Sequence, residues 1–346
     1  MATIKEIAKM ANVSIATVSN ILNKKPGSAS PEKVEAVLNA AKTLNYQPNT
    51  LAKSLRNQKS RTIGIIAEDL TVYQTSEIIN GIEEYCEQYH YDTILANMRL
   101  FKRFGNDYTV TQEHEVLFDN AVSSLMSKQV EGFIYIGYHC REIPFTPFCS
   151  NLPFIYVYCI PKSKEYPYIL LDDEQASTEI GRTLIAHGHR DIGLITGPIS
   201  SLNSQSRLAG FQKALFEASI PYNVSHTMIG DWTRKSGYFA AKELIPRGVT
   251  AIYAFNDMMA SGVYSYCIDS GIMIGQDISL FGYDNQIIVD AYYPPLSSVE
   301  PHLNEMGHKA GELVMTQIQG HSVCEKKYII PYTIHIRKSL CKNLSK

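Results

Sequence analysis

No apolar run in this sequence approaches the roughly 20 residues needed to cross a bilayer as a helix. Hydrophobic residues nonetheless make up 45% of the 346. The chain is therefore expected to make no membrane contact and to bury cores in two or three domains. Cysteine is sparse and unpatterned. There are seven (Cys86, Cys140, Cys149, Cys159, Cys267, Cys324 and Cys341), an odd number with no CxxC spacing, and most sit in apolar surroundings. This pattern predicts buried free thiols in a reducing cytoplasm, not a disulfide framework or a thiolate metal site. His114, His139 and His187–His189 show no ligand spacing either, so neither metal nor cofactor is expected. No Ser-His-Asp set or carboxylate pair is legible. Gly193-x3-Gly197 is too sparse for a dinucleotide loop. An enzyme is thus not expected. The first residues are not an apolar leader, so a secretory signal is not expected.

What the chain does have is an uneven charge. Its formal net charge is only −2, yet residues 1–61 carry ten Lys or Arg against Glu6, Glu32 and Glu35. The remainder is acidic. A basic head on an acidic body is the asymmetry of a nucleic-acid-binding module joined to a domain that does not bind nucleic acid. Within the head, Thr3–Asn23 reads as two short helices joined by a tight turn. Thr3 with Glu6 forms a capping box. Ile4, Ile7, Ala8 and Ala11 share one face. Asn12 tolerates the left-handed turn, and Ser14 caps the second helix. There Val18, Ile21 and Leu22 point inward, leaving Ile15, Ala16, Thr17, Ser19 and Asn20 outward. That is the pattern of a helix-turn-helix, although an ordinary helical hairpin would leave the same signal.

Pro26-Gly27 then breaks the chain. Ser30-Pro31-Glu32 opens a third helix to about Leu44, with Val34, Val37, Leu38 and Ala41 as its apolar face. Thr50–Asn57 is too short to be a stable helix by itself. From Arg61 the composition changes: near-continuous apolar strands alternate with amphipathic helices. The predicted strands are Thr62–Ala67, Asp92–Asn97, Gly132–Ile136, Phe154–Val157, Ile192–Ile195, Ala251–Phe255 and Ile278–Phe281. Helices are expected over Ser76–Tyr89 and Glu113–Lys128. The alternation predicts parallel sheets covered on both faces, arranged as two α/β lobes. A small molecule would bind between them, at the carboxyl ends of the strands.

Several motifs in this order resemble the LacI/GalR family of bacterial transcription regulators, over essentially the whole chain. They are Thr3-Ile4-Lys5-Glu6-Ile7-Ala8, Val13-Ser14-Ile15-Ala16-Thr17-Val18-Ser19, and Tyr46-Gln47-Pro48-Asn49 with Ala52 and Leu55. Ile63-Gly64-Ile65-Ile66, His187-Gly188-His189-Arg190, Gly197-Pro198, Arg207-Leu208-Ala209-Gly210-Phe211, Gly282-Tyr283-Asp284-Asn285 and Pro294-Pro295-Leu296-Ser297-Ser298-Val299 follow. The resemblance implies a helical head over residues 1–48, a hinge helix and linker over 49–61, and a two-lobed periplasmic-binding-protein-like core over 62–346. The first lobe would comprise about 62–161 and 292–322, the second about 162–291 and 323–346.

The same resemblance implies a ligand-responsive repressor acting as a homodimer or a dimer of dimers on near-palindromic double-stranded operator DNA. Thr3, Ser14, Ile15, Ala16, Thr17, Ser19, Asn20, Asn23 and Tyr46 would contact DNA, with Asn49, Ala52, Lys53 and Leu55 from the hinge. Leu55 would act as a minor-groove wedge. The family usually has Arg where Asn20 stands here. Asn prefers adenine where Arg prefers guanine, so the operator sequence does not transfer. The effector, a sugar or sugar derivative, would contact Arg207, Asn256, Asp284 and Trp232, the chain's only tryptophan. Asn203, Tyr73, Gln74 and Thr75 are further candidates. Tyr158 replaces an acidic or polar cleft residue of many relatives, and the loop Arg99–Val110 is longer than usual. A sugar-binding protein without a DNA role is the alternative, and the basic head argues against it.

Overall fold

The computed structural model describes residues 2–23, 29–46, 60–105, 109–149 and 151–343. The chain divides into two compact units, Met1–Ser60 and Arg61–Lys346. The break at Pro26-Gly27 and the hinge over Asn49–Asn57 lie outside the described residues.

In the first unit three helices, Ile4–Met10, Ile15–Leu22 and Pro31–Thr43, close a small core of Ile7, Ala8, Val18, Ile21, Val37 and Ala40. The capping box forms as its spacing requires: Thr3 N–H donates to Glu6 Oε2 at 2.7 Å and Glu6 N–H to Thr3 Oγ1 at 3.3 Å. Asn12 takes φ +50° in the turn. Ser14 Oγ accepts from Thr17 N–H at 3.0 Å, starting the second helix. Leu38 departs from expectation, being 51% exposed. The inward stripe of the third helix runs Val34, Val37, Ala40, Ala41 and Leu44. Leu38 follows Val37 by one residue, about 100° around the helix, which carries it off that stripe.

Among the described residues the second unit has two main parallel sheets. The six-stranded one runs in the order Lys327–Ile330, Tyr168–Leu171, Phe154–Val157, Gly132–Ile136, Thr62–Ala67, Asp92–Asn97. The four-stranded one runs Ser279–Phe281, Ala251–Ala254, Ile192–Thr196, Thr227–Ile229. Every residue of Thr62–Ala67 is buried. That is why it reads as a continuous apolar run, since helices cover both faces of the sheet. Two of these strands correct the expected lobe limits. Tyr168–Leu171 pairs with Phe154–Val157, and Lys327–Ile330 pairs with Tyr168–Leu171, so both belong to the first sheet. Their apolar side chains Ile169, Leu171 and Ile330 fill its core. The chain accordingly passes to the second sheet after Leu171, and again after Ile330. It returns to the first sheet after Phe281, and the antiparallel pair lies on two of these passages: Ser298–Glu300 on the return and Thr333–His335 on the one after Ile330.

Glycines set the closest helix contacts. A Cβ on Gly81, in helix Tyr73–Gln88, would lie 2.1 Å from the Asn304 carbonyl oxygen near the start of helix Leu303–Ile318. One on Gly210 would lie 2.0 Å from the Glu174 carbonyl oxygen. No helix among the described residues is long and apolar enough to cross a membrane.

Candidate functional site

A cleft of about 320 Å³ lies within the second unit, where the strands of both sheets end. From the first-sheet side it receives Tyr73 and Gln74, the first two residues of helix Tyr73–Gln88, which begins three residues earlier than the sequence suggests. Tyr158 reaches it just after strand Phe154–Val157, held at φ +58°. From the second-sheet side come Asn203 and Arg207, on helix Leu202–Glu217. Trp232, Asn256 and Asp284 complete that wall. Of the nine residues singled out from the sequence, these eight are brought together. Thr75 is not. It is fully buried behind its neighbours, and its hydroxyl finds no hydrogen-bond partner among the described residues.

Arg207 is both an ion-pair residue and a cleft residue. Its Nε donates to Asp173 Oδ1 at 2.7 Å, Nη1 donates to the Phe255 carbonyl, and the guanidinium carbon sits 3.5 Å from the centre of the Tyr283 ring. Asp173 also accepts from Asn203 Nδ2 at 2.5 Å, while Asn203 Oδ1 accepts from Cys140 N–H at 3.0 Å. Asn203 thereby ties the two sides of the cleft. Asn256 likewise serves twice. Its Oδ1 caps helix Asp257–Ser270 through Met259 N–H at 2.8 Å, and its Nδ2 donates to the Trp232 carbonyl at 3.2 Å. That bond helps to hold Trp232 at φ +69°. The indole lies against Gly197, where a Cβ would fall 2.0 Å from the ring. Only glycine fits there.

Asp284 leaves strand Ser279–Phe281 with φ +110°. Burial pushes its carboxyl up to about 6, although Arg207 and hydrogen bonds from Tyr73 and Gln286 act to lower it. Burial and the Asp284 charge together hold the Tyr73 phenol far above its usual range. Beneath Asp284, Asp257 accepts from Ser298 Oγ at 2.6 Å and from Gln286 N–H at 2.9 Å. Burial first, then the neighbouring Asp284, raises its carboxyl as well.

Sequence reasoning missed Phe101, Tyr138, His139, Asp231 and Gln286, which also line the cleft. Tyr138 and His139 are positioned by a buried pair distant in sequence. Arg141 binds Glu68 through two bonds of 2.7 Å, and Glu68 also accepts from Tyr138 N–H at 3.0 Å. Burial, aided by Arg141, lowers His139 to about 2, so its imidazole is neutral. His139 is buried and at the same time lines the cleft. Phe101 is placed by its N–H donating to Asp69 Oδ2 at 3.0 Å. No group of three His, Cys, Asp or Glu among the described residues is arranged to hold a metal.

In the head, Thr3, Ser14, Ile15, Ala16 and Asn23 are exposed, while Thr17, Ser19 and Asn20 are half-buried. Tyr46 packs against the three-helix core. Asn23 Nδ2 donates to the Ser19 carbonyl at 2.7 Å, closing the second helix. Asn49, Ala52, Lys53 and Leu55 lie outside the described residues.

Fold and cleft together define a two-lobed small-molecule-binding core preceded by a helical DNA-binding head. Residues 3–49 match the model of bacterial regulatory proteins of the lacI family, and 182–340 match a periplasmic binding protein-like domain. The chain is 31% identical over 350 residues to the HTH-type transcriptional repressor PurR of Pasteurella multocida, covering 99% of this chain and 100% of that one. It is 29% identical to catabolite control protein A of Priestia megaterium, covering 97% and 98% of the two chains. A crystal structure of the lac repressor dimer bound to operator and the anti-inducer ONPF superposes with TM-score 0.80 at 26% identity, over 98% of this chain and 99% of that one. The chain belongs to the LacI family: it is a DNA-binding transcriptional regulator with an effector-binding core.

Proposed function

We propose that this protein is a repressor whose effector, a sugar or sugar derivative, binds between the two core sheets and changes affinity for a near-palindromic operator. The observation that carries the reading is the convergence of eight sequence-selected residues, twenty or more positions apart in most cases, on one cleft. Trp232 offers an aromatic face for the C–H side of a sugar ring. Asp284, Asn256 and Gln74 offer polar partners for its rim hydroxyls. Such a ligand would contact both sides of the cleft and so favour one lobe arrangement over the other. That differential affinity is what allostery requires.

Ser14, Ile15, Ala16, Thr17, Ser19 and Asn20 would face the major groove, with phosphate contacts from the basic head. The boundaries that go with this are a head over 1–48, a hinge over 49–61 containing Asn49, Ala52, Lys53 and Leu55, and a core over 62–346. The lac repressor dimer bound to operator supports a homodimer that reads two half-sites. A dimer of dimers is compatible with the same interface logic. Action on chromosomal DNA would place the protein in the cytoplasm.

The test uses the full chain in a thermal-shift screen against sugars and nucleosides, with operator affinity measured for each hit. An effector should raise the melting temperature by mass action and change operator affinity. Gly197→Ala, which displaces the Trp232 ring, should abolish the shift while leaving effector-free operator affinity within about tenfold, or 1.4 kcal/mol. A Gly197→Ala protein that keeps its full effector response would remove the cleft from the mechanism.

A further inference from the structure

We infer that the cleft selects an uncharged, hydroxyl-rich ligand and discriminates against its phosphorylated or carboxylated derivatives. The inference rests on the cleft being the effector site and specifies the charge of what enters it. Among the described residues lining the cleft, Arg207 is the only Lys or Arg. Its charge is already committed to Asp173, with side-chain exposures of 3% and 6% for the pair. One face of its guanidinium is occupied by Tyr283. An anionic ligand would share a guanidinium whose charge Asp173 already neutralises, so it would gain little net attraction from Arg207. His139, the other basic group on the wall, is neutral because burial and Arg141 oppose its protonation.

Against this single neutralised cation stand two carboxylates, Asp231 and Asp284, on the same wall. Asp284, the more shielded of the two, repels an incoming phosphate more strongly than it would in water, and the exposed Asp231 adds to that repulsion. The feature that favours an anion is the start of helix Tyr73–Gln88, which has no side-chain cap. A helix terminus carries about half an elementary charge. The Asp284 carboxylate already lies against Tyr73 at that terminus, so the dipole is answered from within the protein. What remains is a set of acceptors suited to hydroxyl donors and aromatic faces suited to C–H groups. Both match an uncharged polyol.

Trp232 is the only tryptophan of the chain and lines the cleft, so its emission reports occupancy directly. The full-length protein would be titrated at neutral pH with matched pairs: glucose, galactose and ribose against their terminal phosphate esters, with inorganic phosphate alongside. At least one neutral sugar is expected to give a saturable change in emission. Its ester should bind about tenfold more weakly or worse, and inorganic phosphate should give no change. Asp231→Asn should narrow the gap within the pair. An ester that binds as tightly as its neutral partner overturns the charge inference while leaving the cleft reading intact, because the signal arises at Trp232. A panel in which no neutral sugar moves the emission overturns it too. A ligand that binds by calorimetry without moving the emission, and binds Gly197→Ala equally well, would sink the cleft reading itself.

Discussion

Asp284 works against the fold at neutral pH. Its carboxyl is pushed up to about 6 by burial, above the usual unfolded value near 4. A group whose folded-state pKa is raised contributes stability that is complete below the unfolded value and is lost as pH rises through the folded one. Between about pH 4 and 6 the protein therefore loses stability as Asp284 ionises. Asp284→Asn keeps the shape and tolerates the left-handed backbone. It should raise the melting temperature of the ligand-free protein at pH 7.5, by about 2–4 °C for each kcal/mol regained, and give no gain near pH 4. Calorimetry across that range decides. An unchanged pH profile would mean that Asp284 is not destabilised by its burial. At this scale the site was legible in part. Arg207, Trp232, Asn256 and Asp284 came from motif resemblance. Tyr138 and His139 could not, since the Glu68–Arg141 pair that positions them joins residues 73 apart, and nothing local marks either end.

At the scale of elements, the packing of helix Tyr73–Gln88 on helix Leu303–Ile318 depends on glycine at the crossing. With 2.1 Å from a Cβ on Gly81 to a backbone oxygen of the facing helix, no side-chain rotamer can relieve the clash, so one helix must move. Gly81→Ala should destabilise the core unit by about 1–3 kcal/mol through overpacking, measured by urea unfolding. Because Gly81 lies in a different compact unit from the head, unfolding of the three-helix head should be unaffected. Equal stability would show that the helices slide at little cost. The strands divide in the same way. Central strands such as Gly132–Ile136, buried at every residue, announce themselves as apolar runs. Lys327–Ile330, with one buried residue in four, does not. As an edge strand it faces solvent, so its sequence resembles a loop and its sheet membership comes from pairing alone.

At the scale of the whole molecule, the basic head and the acidic core are separate compact units. A chain beginning at residue 62 should fold, melt cooperatively and retain effector binding while losing operator affinity. The intact protein's operator affinity should fall linearly in log–log form with salt, because its head neutralises phosphates. Fluorescence anisotropy with both chains checks this, and a truncated core that held operator at unchanged affinity would remove the head from the function. The amino-acid sequence by itself determined the helical head, the capping box and turn, the charge division and the central strands. Each of these is written in neighbouring residues through helix spacing, cap chemistry or continuous burial. Only the tertiary structure decided which sheet receives Tyr168–Leu171 and Lys327–Ile330, and that Asn203 bridges the cleft. It also decided that Arg207 is already bound to Asp173, and that Gly197 makes room for Trp232. Those outcomes depend on groups far apart in the chain competing for the same space and the same charge, and no local pattern encodes that competition.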